Sequence, residues 1–184
     1  MRSTRIPGVT IAESTAEQKE LMGPWSQMNF SNVMVQSPDL YRAFVPLIEK
    51  VIAGTILPPR DRQALLLRTL TLGNDVYEVT HHEFISQTVG LTEQEVKAMR
   101  AGEGPELTDF DRLLGRAAEQ LVRTQHIDDA TWQAMAARYT PKQLMEVVAL
   151  VGTYLTMAMV TRNFEIPLED EATFKGFKEA REYV

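Results

Sequence analysis

The chemistry this chain offers most plainly lies in one short run, Asp75 to His82 (DVYEVTHH), where Glu78 precedes His82 by one helical turn and His81 stands beside it. At 100° per residue, Asp75, Glu78, His82, Ile85 and Val89 fall within an arc of about 80°, so the ionisable groups share a stripe with aliphatic ones. That stripe is expected to be buried. Tyr77, His81, Phe84 and Thr88 gather on a second covered face, and Val76, Thr80, Glu83 and Gln87 remain as a narrow outer strip. A helix covered on two sides belongs in the middle of a bundle or at a subunit contact. A buried carboxylate needs a partner or a proton, because burial without either costs several kcal/mol or drives its pKa upward. His82 can supply the hydrogen bond to Glu78. A Glu–His couple with pKa values drawn toward neutrality is a common general acid and base device, and the same couple can equally serve only to tie helices together. The spacing Glu78-x-x-His81 is also the one by which a helix contributes to carboxylate-bridged metal centres. Such centres need a second copy of the motif, and Arg123 stands where His126 would need a glutamate. No metal ligand set is therefore assigned from this chain alone.

Several elements must hold this helix in place. Pro58-Pro59 opens a leucine-rich helix carrying Leu65, Leu66, Leu67, Leu70 and Leu72, which the turn Leu72-Gly73-Asn74-Asp75 joins to the histidine helix. On it Gln63 shares the face of Leu66, Leu67 and Leu70, so its amide should point toward the same interior. Arg68 lies on the other side and seeks a carboxylate, whether Glu78, Asp75, another subunit or a substrate acid. Upstream, Ser37-Pro38 reads as a helix start, and Leu40, Phe44, Leu47, Ile48, Val51 and Ile52 follow at three- and four-residue spacing to about Gly54. Downstream, Thr92 with Glu95 and Thr140 with Gln143 form capping boxes, Thr108 and Asp128 are further N-caps, and Pro167 stops the long apolar helix that Pro141 begins. No stretch alternates long enough for a strand. The chain is expected to be all-α, with roughly eight to ten helices in one domain: an N-terminal arm over 1–24, a core over 25–168 and a C-terminal helix over 169–184.

The 184 residues carry a net charge of −6 with no basic block, which disfavours nucleic acid and anionic membrane surfaces as partners. The absence of cysteine removes disulfides, thiolate metal sites and thiol peroxidase chemistry together. The first ten residues lack the apolar stretch of a signal peptide. The apolar run from Leu144 to Val160 is shorter than the ~20 residues of a membrane span and contains Glu146. A cytoplasmic location is expected.

The pattern L-P-P-R-x-R-x-x-x-L-L-R-x-L-x-L, a glycine-containing turn, Y-E-x-x-x-H and then G-L-T-x-x-E resembles the carboxymuconolactone decarboxylase family, which includes the alkyl hydroperoxidase D (AhpD) proteins. FSNVMVQSPDLYRAF resembles that family's early helix, and the likeness extends over about residues 25 to 170. The resemblance implies an AhpD-like helical bundle assembled as a dimer, trimer or hexamer. Its peroxidase branch carries Cys-x-x-Cys-x-x-x-His, and Asp75, Glu78 and His82 occupy those positions here, so hydroperoxide reduction is not expected. Its decarboxylase branch keeps the glutamate and histidine and belongs to aromatic catabolism. That branch implies a cofactor-free lyase or isomerase acting on a small unsaturated or lactone carboxylic acid. Glu78 and His82 would be catalytic, with Arg68 or His81 on the substrate carboxylate and Gln63, Asp75 and Tyr77 completing the binding site. Gln63 stands where family members often have glutamate, so a proton relay through that position is unavailable. Two alternatives stay open: a non-catalytic helical oligomer or ligand-binding protein, and a metal site shared between copies of Glu78-x-x-His81.

Overall fold

In the computed structural model, which describes residues 4–180, the chain is all-α. The helices are α1 (Ala16–Met22), α2 (Asn29–Met34), α3 (Pro38–Ile52), α4 (Pro59–Leu72), α5 (Val76–Thr88), α6 (Glu93–Ala101), α7 (Asp109–Thr124), α8 (Asp129–Ala136), α9 (Pro141–Phe164) and α10 (Glu171–Ala180). A 3₁₀ turn over Gly23–Gln27 links α1 to α2. The capping boxes at Thr92–Glu95 and Thr140–Gln143 form as the sequence requires, as do two more at Thr15–Gln18 and Thr108–Asp111. Each satisfies N–H groups that a helix N-terminus otherwise leaves unpaired.

The hub is α4, which packs against α5, α6, α7 and α9 and is buried on nearly every side. Leu65, Leu66, Leu67 and Leu70 are fully enclosed. A helix enclosed all round must bury polar residues too, and two of these find partners across the bundle: Tyr139 donates to Asp61 at 2.8 Å, and Arg62 donates to the carbonyl of Ile52 at the end of α3. The turn into α5 runs through Gly73 and Asn74. Asn74 takes the left-handed conformation (φ 52°), which asparagine tolerates better than most side chains. Gly73 has an ordinary φ, and a Cβ there would meet the Thr69 carbonyl oxygen at 3.3 Å and Ala158 of α9 at 3.4 Å. Asp75 then caps α5 by accepting from the Glu78 amide at 3.3 Å.

Two apolar patterns settle differently from their sequence spacing. In α3 the helix is rolled so that Tyr41, Ile48 and Val51 face inward, and Leu40 and Leu47 remain about half exposed. In α9 the inner side is core, while Met145, Val148 and Met159 stay exposed along the outer side. Among the described residues α9 alone is long and apolar enough to cross a membrane, and half of that apolar window is buried against the other helices. The N-terminal arm is strapped to the bundle by main-chain hydrogen bonds from Arg5 to Phe164 and from Val9 to Asn32, each 2.9 Å.

Candidate active site

On α5, Glu78, His82 and Ile85 on one side and Tyr77 and His81 on the other are buried, whereas Thr88, expected on the second covered face, is exposed, and the cavity lies where the helix faces α2 and α3. The cavity holds about 220 Å³. Its walls are Trp25, Met28, Phe30, Val45, Ile48, Ile52, Ala53, Ile85 and Met157, with polar groups supplied by Ser31, Tyr41, Glu49, Glu78, His81 and His82. Of the site residues expected from sequence, Glu78, His81 and His82 are brought together here. Gln63 stands behind His82, and Tyr77 and Asp75 are buried off the cavity.

Arg68 is elsewhere. Its Nε donates to Glu119 on α7 at 2.7 Å and its Nη1 to the Arg100 carbonyl near the end of α6, so its carboxylate partner is none of those expected. It packs over Gly102, where a Cβ would come within 2.9 Å of the guanidinium. These contacts staple α4 to its neighbours and correct the expectation that Arg68 receives a substrate carboxylate.

His82 is locked. Its Nδ1 meets Gln63 Oε1 at 3.1 Å and its Nε2 meets the Tyr154 hydroxyl at 2.9 Å, which assigns the Nδ1–H tautomer with Nε2 accepting from tyrosine. Ser86 lies 3.2 Å from the same Gln63 oxygen and donates to the His82 carbonyl. Burial, reinforced by the charges of His81 and Arg62, depresses the His82 pKa to about 3, so the ring is neutral at physiological pH. It cannot exchange a proton without breaking one of these bonds. The pairing with Glu78 expected from sequence is only a 4.0 Å approach.

Glu78 has the opposite character. Among the described residues no side chain or amide hydrogen-bonds its carboxyl group; the residue is 6 % exposed and lines the cavity. Desolvation, opposed by His81 and assisted by the charges of Asp75 and Glu169, pushes its pKa up to about 8. It therefore enters the neutral range mostly protonated.

His81 stands at the cavity edge in an ion pair that sequence reading missed. Its Nε2 lies 3.0 Å from Glu169 Oε2, a close charge contact that is off the hydrogen-bond axis, and its Nδ1 meets the Tyr77 carbonyl at 2.9 Å. The other Glu169 oxygen accepts from the Tyr77 hydroxyl at 2.5 Å and from the Asn29 amide at 2.8 Å. Burial alone would lower the His81 pKa, but contact with Glu169, together with the charge of Glu78, holds it raised. Burial would likewise raise Glu169, and His81, Tyr77 and Asn29 hold it low. Among the described residues no group of three or more His, Asp or Glu side chains could hold a metal ion.

Sequence reading also missed Ser31 and Tyr41, whose hydroxyls hydrogen-bond each other at 2.6 Å in the cavity wall. Trp25 is also a wall residue, and its indole N–H donates to Glu49 at 3.0 Å. On α9 the polar groups Tyr154 and Asn163 differ: Tyr154 is part of the site, whereas Asn163 is exposed and its amide donates to the carbonyl of Met159.

The chain matches no protein-family profile and no curated protein. It is similar to several solved structures. One, an uncharacterised peroxidase-related protein with an alkylhydroperoxidase AhpD core from Ralstonia eutropha JMP134, superposes with a TM-score of 0.78 at 13% identity, covering 95% of this chain and 96% of that one. The debrominase Bmp8 gives 0.70 at 15% identity over 94% and 95% of the two chains. A protein of unknown function from Agrobacterium tumefaciens, described as a putative antioxidant defence protein AhpD, gives 0.68 at 20% identity over 74% of this chain and 94% of its own. Likeness at these identities fixes architecture and leaves chemistry to the residues. The chain has the AhpD-like all-α fold.

Proposed function

We propose that this protein is a cofactor-free enzyme of the lyase or isomerase kind, moving a proton between carbon atoms of a small unsaturated carbonyl compound, with Glu78 as the group that carries the proton. The observation that supports this most directly is the Glu78 carboxyl itself, buried, without a hydrogen-bond partner among the described residues and facing an apolar cavity. A pKa near the working pH lets one group both take and return a proton. As carboxylate it removes a proton from the carbon beside a carbonyl. As carboxylic acid it returns that proton to the far end of the resulting dienolate, and the carboxylate is regenerated. No co-reactant is consumed.

Ser31 and Tyr41 suit the developing oxyanion. Two hydroxyls sharing one hydrogen bond leave one O–H to spare, and a donor placed where charge develops stabilises the transition state. His82, neutral and doubly hydrogen-bonded, fixes the floor beside Glu78 as a positioning residue. The missing thiols separate this chain from disulfide-based peroxide chemistry on the same fold. A single-substitution variant of Bmp8, solved in complex with 2,3,4-tribromopyrrole, illustrates that the architecture can accept a small ring.

Deuterium exchange tests the proposal. A panel of small unsaturated ketones and lactones incubated with the protein in D2O should acquire deuterium at carbon, and Glu78→Gln should reduce incorporation to the solvent background. Undiminished exchange by the Gln variant would remove Glu78 from the chemistry.

A further inference from the structure

Building on the proton-transfer role of Glu78, we infer that the cavity selects a neutral, ring-sized molecule bearing a carbonyl-type acceptor, and that it excludes carboxylates. The expectation of a carboxylic acid substrate came with Arg68 or His81 to receive it, and Arg68 is stapled to Glu119 on the far side of α4. Among the described residues neither lysine nor arginine lines the cavity. The buried guanidinium of Arg62 is turned onto the Ile52 carbonyl and is not part of the wall.

The ionisable acids and imidazoles of the wall are Glu49, Glu78, His81 and the neutral His82. His81 faces Glu169 at 3.0 Å, so a proton gained by its ring is matched by that carboxylate and leaves no surplus cation for an anionic guest. Glu49 adds a negative charge at the Trp25 side. A carboxylate entering would lose its water shell among apolar walls and meet like charge, and such a group stays out or takes up a proton. When Glu78 ionises during turnover, the mismatch becomes larger.

Size and polarity give the rest of the description. A cavity of about 150 Å³ lined by apolar side chains holds benzene in another protein, and this one is larger at about 220 Å³. A substituted single ring therefore fits. The spare hydroxyl hydrogen of the Ser31–Tyr41 pair asks for an acceptor, which a ketone, ester or lactone oxygen supplies. Trp25 and Phe30 offer ring faces, and Ile48 and Ile85 offer aliphatic walls.

Calorimetric titration of the full chain with two rings of matched shape at neutral pH tests this: acetophenone as the neutral carbonyl probe and benzoate as its anionic counterpart. Acetophenone should bind saturably, with benzoate weaker by about tenfold or more, which is about 1.4 kcal/mol or above. Tyr41→Phe should reduce acetophenone affinity a few-fold, and Ile48→Trp, which fills the cavity, should abolish it. Benzoate or benzylammonium binding as tightly as acetophenone would overturn the inference, and so would the lack of saturable acetophenone binding. The wild-type ratio carries the decision if a variant fails to fold. Selective acetophenone binding with no deuterium exchange in any neutral carbonyl compound would retire the proton-transfer reading and keep this one. Exchange into a carboxylate substrate, with the ratio reversed, would do the opposite.

Discussion

His81 and His82 are neighbours on one helix, both buried, yet their surroundings shift their pKa values in opposite directions. His82 points into α4 and α9, where it meets an amide and a phenol, neither of which favours a cation. His81 points toward the segment after α9, where it meets the Glu169 carboxylate. Desolvation acts on both rings in the same direction. The partner decides the result: neutral groups leave burial unopposed and the His82 pKa falls, while a carboxylate reverses burial and the His81 pKa rises. Burial of a histidine therefore says little about its charge until the groups around it are known.

The sharpest way to break this comparison is to truncate each ring. His82→Ala leaves a void among α4, α5 and α9 and strips the Tyr154 hydroxyl of its partner, so about 3–4 kcal/mol of stability should be lost. His81→Ala should cost less, about 1–3 kcal/mol, because Glu169 retains the Tyr77 hydroxyl and the Asn29 amide. Urea unfolding of the two variants measures the difference. A larger loss at His81 would reverse the assignment of His82 as the structural ring.

A smaller effect, and one with a sign that depends on pH, belongs to Glu78. Its folded pKa of about 8 lies above its ordinary value of 4.5. Between those values the folded chain holds a proton that the unfolded chain releases, so raising the pH favours unfolding and stability falls. His82 works in reverse: its folded pKa of about 3 lies below 6.5, so stability is lost as the pH falls through that interval. Glu78→Gln removes only the alkaline loss. The variant should match wild type near pH 4.5 and exceed it by roughly 1–3 kcal/mol above pH 8, read from urea midpoints at the two pH values. A variant that is no more stable at alkaline pH would show that Glu78 is not held in its acid form by burial. His81 and Glu169 set a different window. The His81 contribution is complete below pH 6.5 and is lost as pH rises through its raised folded value, and that of Glu169 is present above pH 4.5 and lost as pH falls through its lowered one.

Local rules made much of this legible before the structure. Caps read from threonine and aspartate spacing mark real helix starts at Thr92, Thr108, Asp128 and Thr140, since capping is a matter of three or four adjacent residues. Periodicity placed Glu78 and His82 on a buried stripe and Gln63 facing them. Pairing across the chain was not legible. Glu169 stands far along the chain from His81, in a charged tail with no local feature distinguishing it from a solvated helix start, and only the packing of that tail against α5 gives it a role. Likewise Leu40 and Leu47 fit the helical period of α3, but Tyr41 turns inward to reach Ser31, and that bond goes with the roll of the helix.

Arg68 is where the comparison can be sharpened with the least effect. It sits on α4 as Gln63 does, but further along and on the opposite side, where it donates to Glu119 and to the end of α6. If the cavity is served only by the inward side of α4, Arg68→Ala should lower stability by about 1–2 kcal/mol, the scale of a partly buried ion pair with an added carbonyl contact. Glu119→Ala should cost less, and the double variant should cost less than the sum, because both changes remove one interaction. Acetophenone affinity and deuterium exchange should stay within about twofold of wild type. A loss of affinity of about tenfold with stability retained would mean that the outer side of α4 reaches the guest after all, and the division between a stapling side and a chemical side of this helix would fail.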